Sequence, residues 1–256
     1  MRHFKLRDFG LAVVVFGVMS GAACAAELRV AVASNFSAPL ARIALLFEKE
    51  TGHTVQLNPG ASGKLYAQIK TGAPFDVFLA ADDELPKRLV REGVAQTGSR
   101  FVYATGRLVL WSMSADFVDA KGAVLNQGNF SRLAIADPRL ASYGVAAQET
   151  LTKLFMWNAI QRKLVKGENI TQTYQFVATE NAELGFIALS QIMLNGKIST
   201  GSWWLVPAEM HQPLHQSAVL LSAAKDKAAA QAFLNFLKRP QALAIMRGYG
   251  YEFPIK

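Results

Sequence analysis

The chain has 256 residues, half of them apolar, 10% aromatic and 18% charged, which excludes a disordered or fibrous protein and supplies core for one large domain or two lobes. Its net charge of +8 comes without a block of five basic residues and without interleaved aromatic and basic side chains, so nucleic acid is set aside and an anionic ligand or surface is kept. Simple solubility would account for the charge equally well.

Residues 1–26, "MRHFKLRDFGLAVVVFGVMSGAACAA", read as a secretory leader: a basic start, a short apolar middle and small residues at the end. The apolar run is too short to span a bilayer, and cleavage after Ala25 or Ala26 is expected. Arg2, Lys5, Arg7 and Asp8 give the leader +2, leaving +6 for the mature chain. Cys24 is the only cysteine; Gly21 stands where a lipoprotein leader needs a larger aliphatic residue, so lipidation is not expected. Without Cys24 the mature chain has no disulfide, thiolate metal site or cysteine nucleophile.

Strand-like and helix-like stretches then alternate. "LRVAVA" is a buried strand, and "SAPLARIALLFEKETG" a helix with Ser37 as N-cap, Pro39 in its first turn and Gly52 as its stop. "TVQLN" is a second strand, "ASGKLYAQIKTG" a short helix, "FDVFLA" a third strand and "DDELPKRLVREG" a further helix. Asp82, Asp83 and Glu84 open that helix as a solvated acidic cap. "RFVYATGRLVLWS" is rich in β-formers and long enough to leave one lobe and enter another; "RLAIADPRLASYGVAAQETLTKLF" restarts the pattern. "ELGFIALSQIML", "WWLVP", "SAVLLS" and two closing helices complete the chain. The repeated βαβ logic predicts α/β lobes, each a mostly parallel sheet flanked by helices, with crossings near residues 108–111 and 203–206.

Hydrolytic chemistry finds little support. No G-x-S-x-G elbow is present, and the mature chain has three histidines. His53 reads as a turn residue after Gly52, and Pro213 breaks the helical spacing that would let His211 and His215 share a metal. The loops say more. Ser34 and Asn35 follow the first strand, Ser62 sits between Gly60 and Gly63 after the second, and Tyr143 with Gly144 precedes a helix in the second half. Helix N-termini carry unpaired N–H groups and partial positive charge, and several aimed at one cleft bind an oxyanion without Lys or Arg. Each loop alone is equally an ordinary helix cap.

Together the segments "VAVASNF", "GASGKLYAQIKTGAPFDVFLAADD", "GSRFVYATGRLVLWS", "ASYGVAAQ", "AELGFIALSQI" and "RPQALAIMRGYGYEFP" make the chain resemble the periplasmic molybdate-binding proteins of ABC importers over almost its whole mature length. The resemblance implies a type 2 periplasmic-binding-protein fold, with lobe I from residues 27–108 and 204–256, lobe II from 109–203, and the ligand cleft between them. It implies no catalysis and no cofactor. The ligand would be molybdate or tungstate, its molybdenum untouched by protein ligands, and the partner an inner-membrane ABC permease served by a monomer in the periplasm. The family's anion-contacting positions fall on Ser34, Asn35, Ser62, Tyr143 and Ile170. Ser34 keeps the hydroxyl of the Thr common in this branch. Ile170, in "GENITQTYQ", stands where Val is common and could offer only its backbone N–H. Two hydroxyls, the Asn35 amide and backbone N–H groups would then surround the dianion. A same-fold protein for another small oxyanion or an organic ligand, with Arg139 in reach, and a periplasmic enzyme are the alternatives; Arg139 is expected to face solvent.

Overall fold

Glu27–Ala33 form strand β1, and its run from Leu28 to Ala33, buried except for Arg29, suits a central strand covered on both faces. The protein is seen in a computed structural model that describes residues 25–198 and 200–253; the expected leader, apart from Ala25 and Ala26, lies outside the described residues, as does Cys24. One 3-10 turn, Ser34–Phe36, leads into helix α1 (Ser37–Thr51). Leu40, Ile43, Ala44 and Phe47 make its buried stripe, and the chain leaves at Gly52, whose φ of 75° closes the helix with an N–H donated to the Glu48 carbonyl. Ser37 is not the expected N-cap: it is already helical, and its hydroxyl donates to the Ser34 carbonyl at 2.7 Å. The extra 3-10 turn moved the start of helical backbone back to Ser34.

Strand β2 (Thr54–Gly60), helix α2 (Ser62–Lys70), strand β3 (Val77–Ala80), helix α3 (Glu84–Arg91) and strand β4 (Phe101–Gly106) follow. Strand β5 (Leu108–Ser112), helix α4 (Val124–Gln127), strand β6 (Leu133–Ala136), helices α5 (Ser142–Lys153) and α6 (Trp157–Ile160), strand β7 (Leu164–Gly167), helix α7 (Ile170–Ala178) and strand β8 (Leu184–Ala188) come next. A small hairpin of β9 (Met193–Leu194) and β10 (Lys197–Ile198), strands β11 (Ser202–Leu205) and β12 (Leu214–Leu220), and helices α8 (Lys227–Phe236) and α9 (Pro240–Gly248) complete the described chain.

The strands assemble into two five-stranded sheets, β2-β1-β3-β12-β4 and β11-β5-β8-β6-β7. In each, four strands run one way and one runs against them: β12 in the first, β5 in the second. The first sheet packs α1, α8 and α9 on one face and α2 and α3 on the other. Edge-to-face contacts of Phe47 with Phe233 (5.1 Å) and Phe236 (5.5 Å) fasten α1 to α8, each adding about 0.5–1.5 kcal/mol beyond burial. The second sheet packs α4, α5 and α6 on one face and α7 on the other.

The chain leaves the first sheet at Arg107 and returns over residues 206–213. Leu108 already belongs to the second sheet, and Trp204 and Leu205 still do, paired with Leu110 and Val109. Sheet membership therefore differs by a few residues from the lobe limits expected from the sequence.

Candidate functional site

Strands β1, β2, β6 and β7 lead directly or through a short loop to helix starts, and these starts meet between the two sheets. This is where open α/β sheets bind ligands, beyond the carboxyl ends of their strands. Ser34, Asn35, Ser62, Tyr143 and Ile170 all line one small cavity there, among Ala33, Ala61, Ala81 and Ala141. Methyl-sized neighbours let backbone amides approach the centre. The free space is about 10 Å³, roughly the room of one water-sized sphere. A groove of about 760 Å³ opens beside the cavity and shares Ser34 and Asn35 with it.

Each donor has a local reason for its position. Ser62 opens α2, and its Oγ accepts the Ala81 N–H at 2.9 Å, which leaves its own proton to donate. Ser34 is 9% exposed and its hydroxyl lies 3.4 Å from Asn169 Oδ1, a long contact that a stronger acceptor would replace. Ile170 is the first residue of α7. Asn169 caps that helix by accepting the N–H groups of Thr171 (2.9 Å) and Gln172 (3.1 Å), so the Ile170 N–H is not taken by the cap. Tyr143 stands second in α5 with its ring buried. Its hydroxyl is buried without a hydrogen-bond partner, and a Cβ at Gly106 would fall 2.1 Å from it, so only glycine fits there. Burial pushes this phenol well above its ordinary pKa and keeps it neutral.

Asn35 requires a correction. Its side-chain amide, expected as a ligand donor, gives its protons to Gln216 Oε1 and Tyr251 Oη, both at 2.8 Å. Gln216 is itself oriented by donating to the Leu214 carbonyl at 2.9 Å. The Asn35 carbonyl accepts the hydroxyls of Ser190 and Tyr251, each at 2.9 Å. What Asn35 can still offer the cavity is its backbone N–H, held in place by a buried network. Gln216, Ser190 and Tyr251 were not foreseen, and nothing local in the sequence marks them.

The acidic cap also differs from expectation, since only Glu84 is exposed. Asp82 accepts the Leu85 N–H and the Ser142 hydroxyl, both at 2.8 Å, and burial raises its pKa. Asp83 accepts the Ser217 hydroxyl at 2.6 Å and pairs with Arg100 and Lys87. Arg139 faces solvent as expected: its side chain is 84% exposed and forks onto Asp137 at 2.6 and 3.1 Å. That guanidinium holds the Asp137 carboxyl down to about 2. No Lys or Arg lines the cavity among the described residues.

The histidines lie apart. His53 accepts the Ala26 N–H at 3.0 Å, His215 meets Thr105 Oγ1 at 3.2 Å, and buried His211 meets the Gln212 carbonyl at 2.7 Å. Among the described residues no three His, Cys, Asp or Glu side chains gather as a metal site.

Comparison with known proteins accords with this geometry. The family described as "Bacterial extracellular solute-binding protein" matches residues 28–252. The molybdate-binding protein ModA of Azotobacter vinelandii is 52% identical over 235 residues, 92% of this chain and 93% of that one. Its counterpart in Rhodobacter capsulatus is 50% identical over 229 residues, 90% and 89% of the two chains. The solved structure of the Azotobacter vinelandii periplasmic molybdate-binding protein superposes with a TM-score of 0.87 at 40% identity, covering 90% of this chain and all of that one.

Proposed function

The chain belongs to the bacterial extracellular solute-binding proteins and, within them, to the family of molybdate-binding proteins, and from that premise we propose that it captures molybdate between its sheets and delivers it to an ABC import permease. It is a binding protein and not an enzyme; molybdate is its cargo and not a cofactor. The observation that carries the reading is the convergence of helix starts and serine hydroxyls, with no cationic side chain among the described residues, on one cavity between the two sheets.

The donors are the hydroxyls of Ser34 and Ser62 and the backbone N–H groups at Asn35, Tyr143 and Ile170. Neutral donors meet a dianion without a buried ion pair and its desolvation cost. Hydrogen bonds to a charged acceptor contribute about 1.5–3 kcal/mol each. Roughly five to seven of them, after the cost of closure, correspond to about −8 to −12 kcal/mol, micromolar to nanomolar affinity. A tetrahedral oxyanion has to fit among helix starts and serine hydroxyls that the fold holds in place. That demand on size ranks anions: molybdate and tungstate are larger than sulfate.

The two moving bodies are the lobes of residues 27–108 with 204–256 and of 109–203, adjusted by the few residues in which the sheets differ. Contacts from both lobes favour the closed form. The protein acts as a periplasmic monomer freed of its leader, and tungstate is carried alongside molybdate. Calorimetry with molybdate, tungstate, sulfate and phosphate tests the reading. Tight binding of the first two and weak binding of the others is expected; sulfate binding as tightly as molybdate refutes selection by size.

A further inference from the structure

We propose that Asp82 and Ser142 are positioning residues that tie the two halves together beside the cavity, so that anion retention depends on their bond; this rests on the molybdate-binding reading above. Asp82 follows β3 of the first sheet, and Ser142 opens α5 on the second. Sixty positions apart in sequence, they meet with Ser142 Oγ donating to Asp82 Oδ2 at 2.8 Å. The carboxylate is fixed on its own side by the Leu85 N–H at 2.8 Å.

The neighbours make this bond matter. Ala81, next to Asp82, donates its N–H to Ser62 Oγ at 2.9 Å, and Tyr143, next to Ser142, lines the cavity. The bond is therefore next to the candidate contact Tyr143 on one side and, through Ala81, one hydrogen bond from the candidate contact Ser62 on the other. Two more links cross nearby: the Gly63 N–H donates to the Leu140 carbonyl at 2.9 Å, and Lys64 pairs with Glu168 at 3.2 Å. The Lys64 and Glu168 side chains are more than half exposed, and such pairs contribute little. The Asp82 carboxylate is partly buried, with its two oxygens taken by the Leu85 N–H and the Ser142 hydroxyl, and burial raises its pKa, so its donors matter more. When the halves part, water can replace Ser142. When they close, Ser142 is needed.

Ser142→Ala removes the donor and leaves a partly buried carboxylate short of a partner in the closed form alone. The expected result is about tenfold weaker molybdate binding, mostly through faster release. Distances between spin labels on the two lobes, recorded with and without molybdate, should lengthen. Ser142→Thr keeps the hydroxyl and should keep affinity within about twofold. Asp82→Asn added to Ser142→Ala removes the stranded charge and should recover part of the loss, a rescue that a merely structural defect would not give. Parent-like affinity and lobe distances in Ser142→Ala overturn the proposal, as does a strictly additive double variant. If the parent binds no molybdate, the functional reading fails, while the ligand-free distances still test the bond.

Discussion

Ser62→Ala probes the site most directly. Ser62 is 3% exposed, and its Oγ accepts the Ala81 N–H at 2.9 Å, so its one proton has no competing use and is available to the anion. Losing a hydrogen bond to a charged acceptor costs about 1.5–3 kcal/mol, a weakening of roughly 12- to 160-fold. The substitution also strands the Ala81 N–H in free and bound protein alike, which lowers stability by about 1–3 kcal/mol but largely cancels in binding. Calorimetric titration with molybdate gives the first quantity and urea unfolding of the ligand-free protein the second. Lowered stability with unchanged affinity would refute the assignment and leave Ser62 as a support for the loop before α3.

Other substitutions test other parts of the arrangement. Gly63→Ala puts a Cβ 2.9 Å from the Leu140 carbonyl oxygen, a backbone atom that cannot swing aside; molybdate affinity should fall at least severalfold with little change in the ligand-free melting temperature, and parent-like affinity would show that the two loops need not touch. Tyr251→Phe deprives the Asn35 carbonyl and amide of a shared hydroxyl and should cost about 1–3 kcal/mol in urea unfolding; no change would mean that this network does not hold Asn35. Arg139→Gln should leave molybdate binding unchanged, whereas a tenfold loss would reveal an Arg clamp. The same variant should move the acid limb of stability. Asp137 sits at about 2, below its ordinary 3.8, so its pairing stabilises the fold above the ordinary value and is lost as pH falls from there towards 2. With Arg139 mostly exposed the pair is screened by water, so the effect is small and reads as acid unfolding at slightly higher pH in the variant.

The sequence carried the local architecture well. Apolar runs such as "LRVAVA" and the spacing of Leu40, Ile43 and Phe47 name their elements, and Gly52 ends its helix at a positive φ. Ser34, Asn35, Ser62 and Tyr143 were legible as small or polar residues at the loops before helices, whereas Ile170 came only from the family resemblance; all five line one cavity. What escaped was set by distant partners. "DDEL" reads locally as a wet cap, yet Asp82 meets Ser142 and Asp83 meets Ser217, 60 and 134 positions away. The Asn35 side chain looked available because its takers, Gln216 and Tyr251, lie 181 and 216 positions downstream. Ser37 failed for a local reason: one 3-10 turn before α1 changed its hydroxyl from cap acceptor to donor.

Strand β12 lies between β3 and β4, antiparallel to both, yet it is spelled only after every strand of the second sheet. The second sheet is contiguous, from Leu108 to Leu205, and has all its strands as soon as β11 has been made. The half synthesised first is therefore the last to be sealed, and until then β3 and β4 present bare edges that invite mispairing. Folding order runs against the order of synthesis, and a chain cut short before Leu214 would keep those edges open for good.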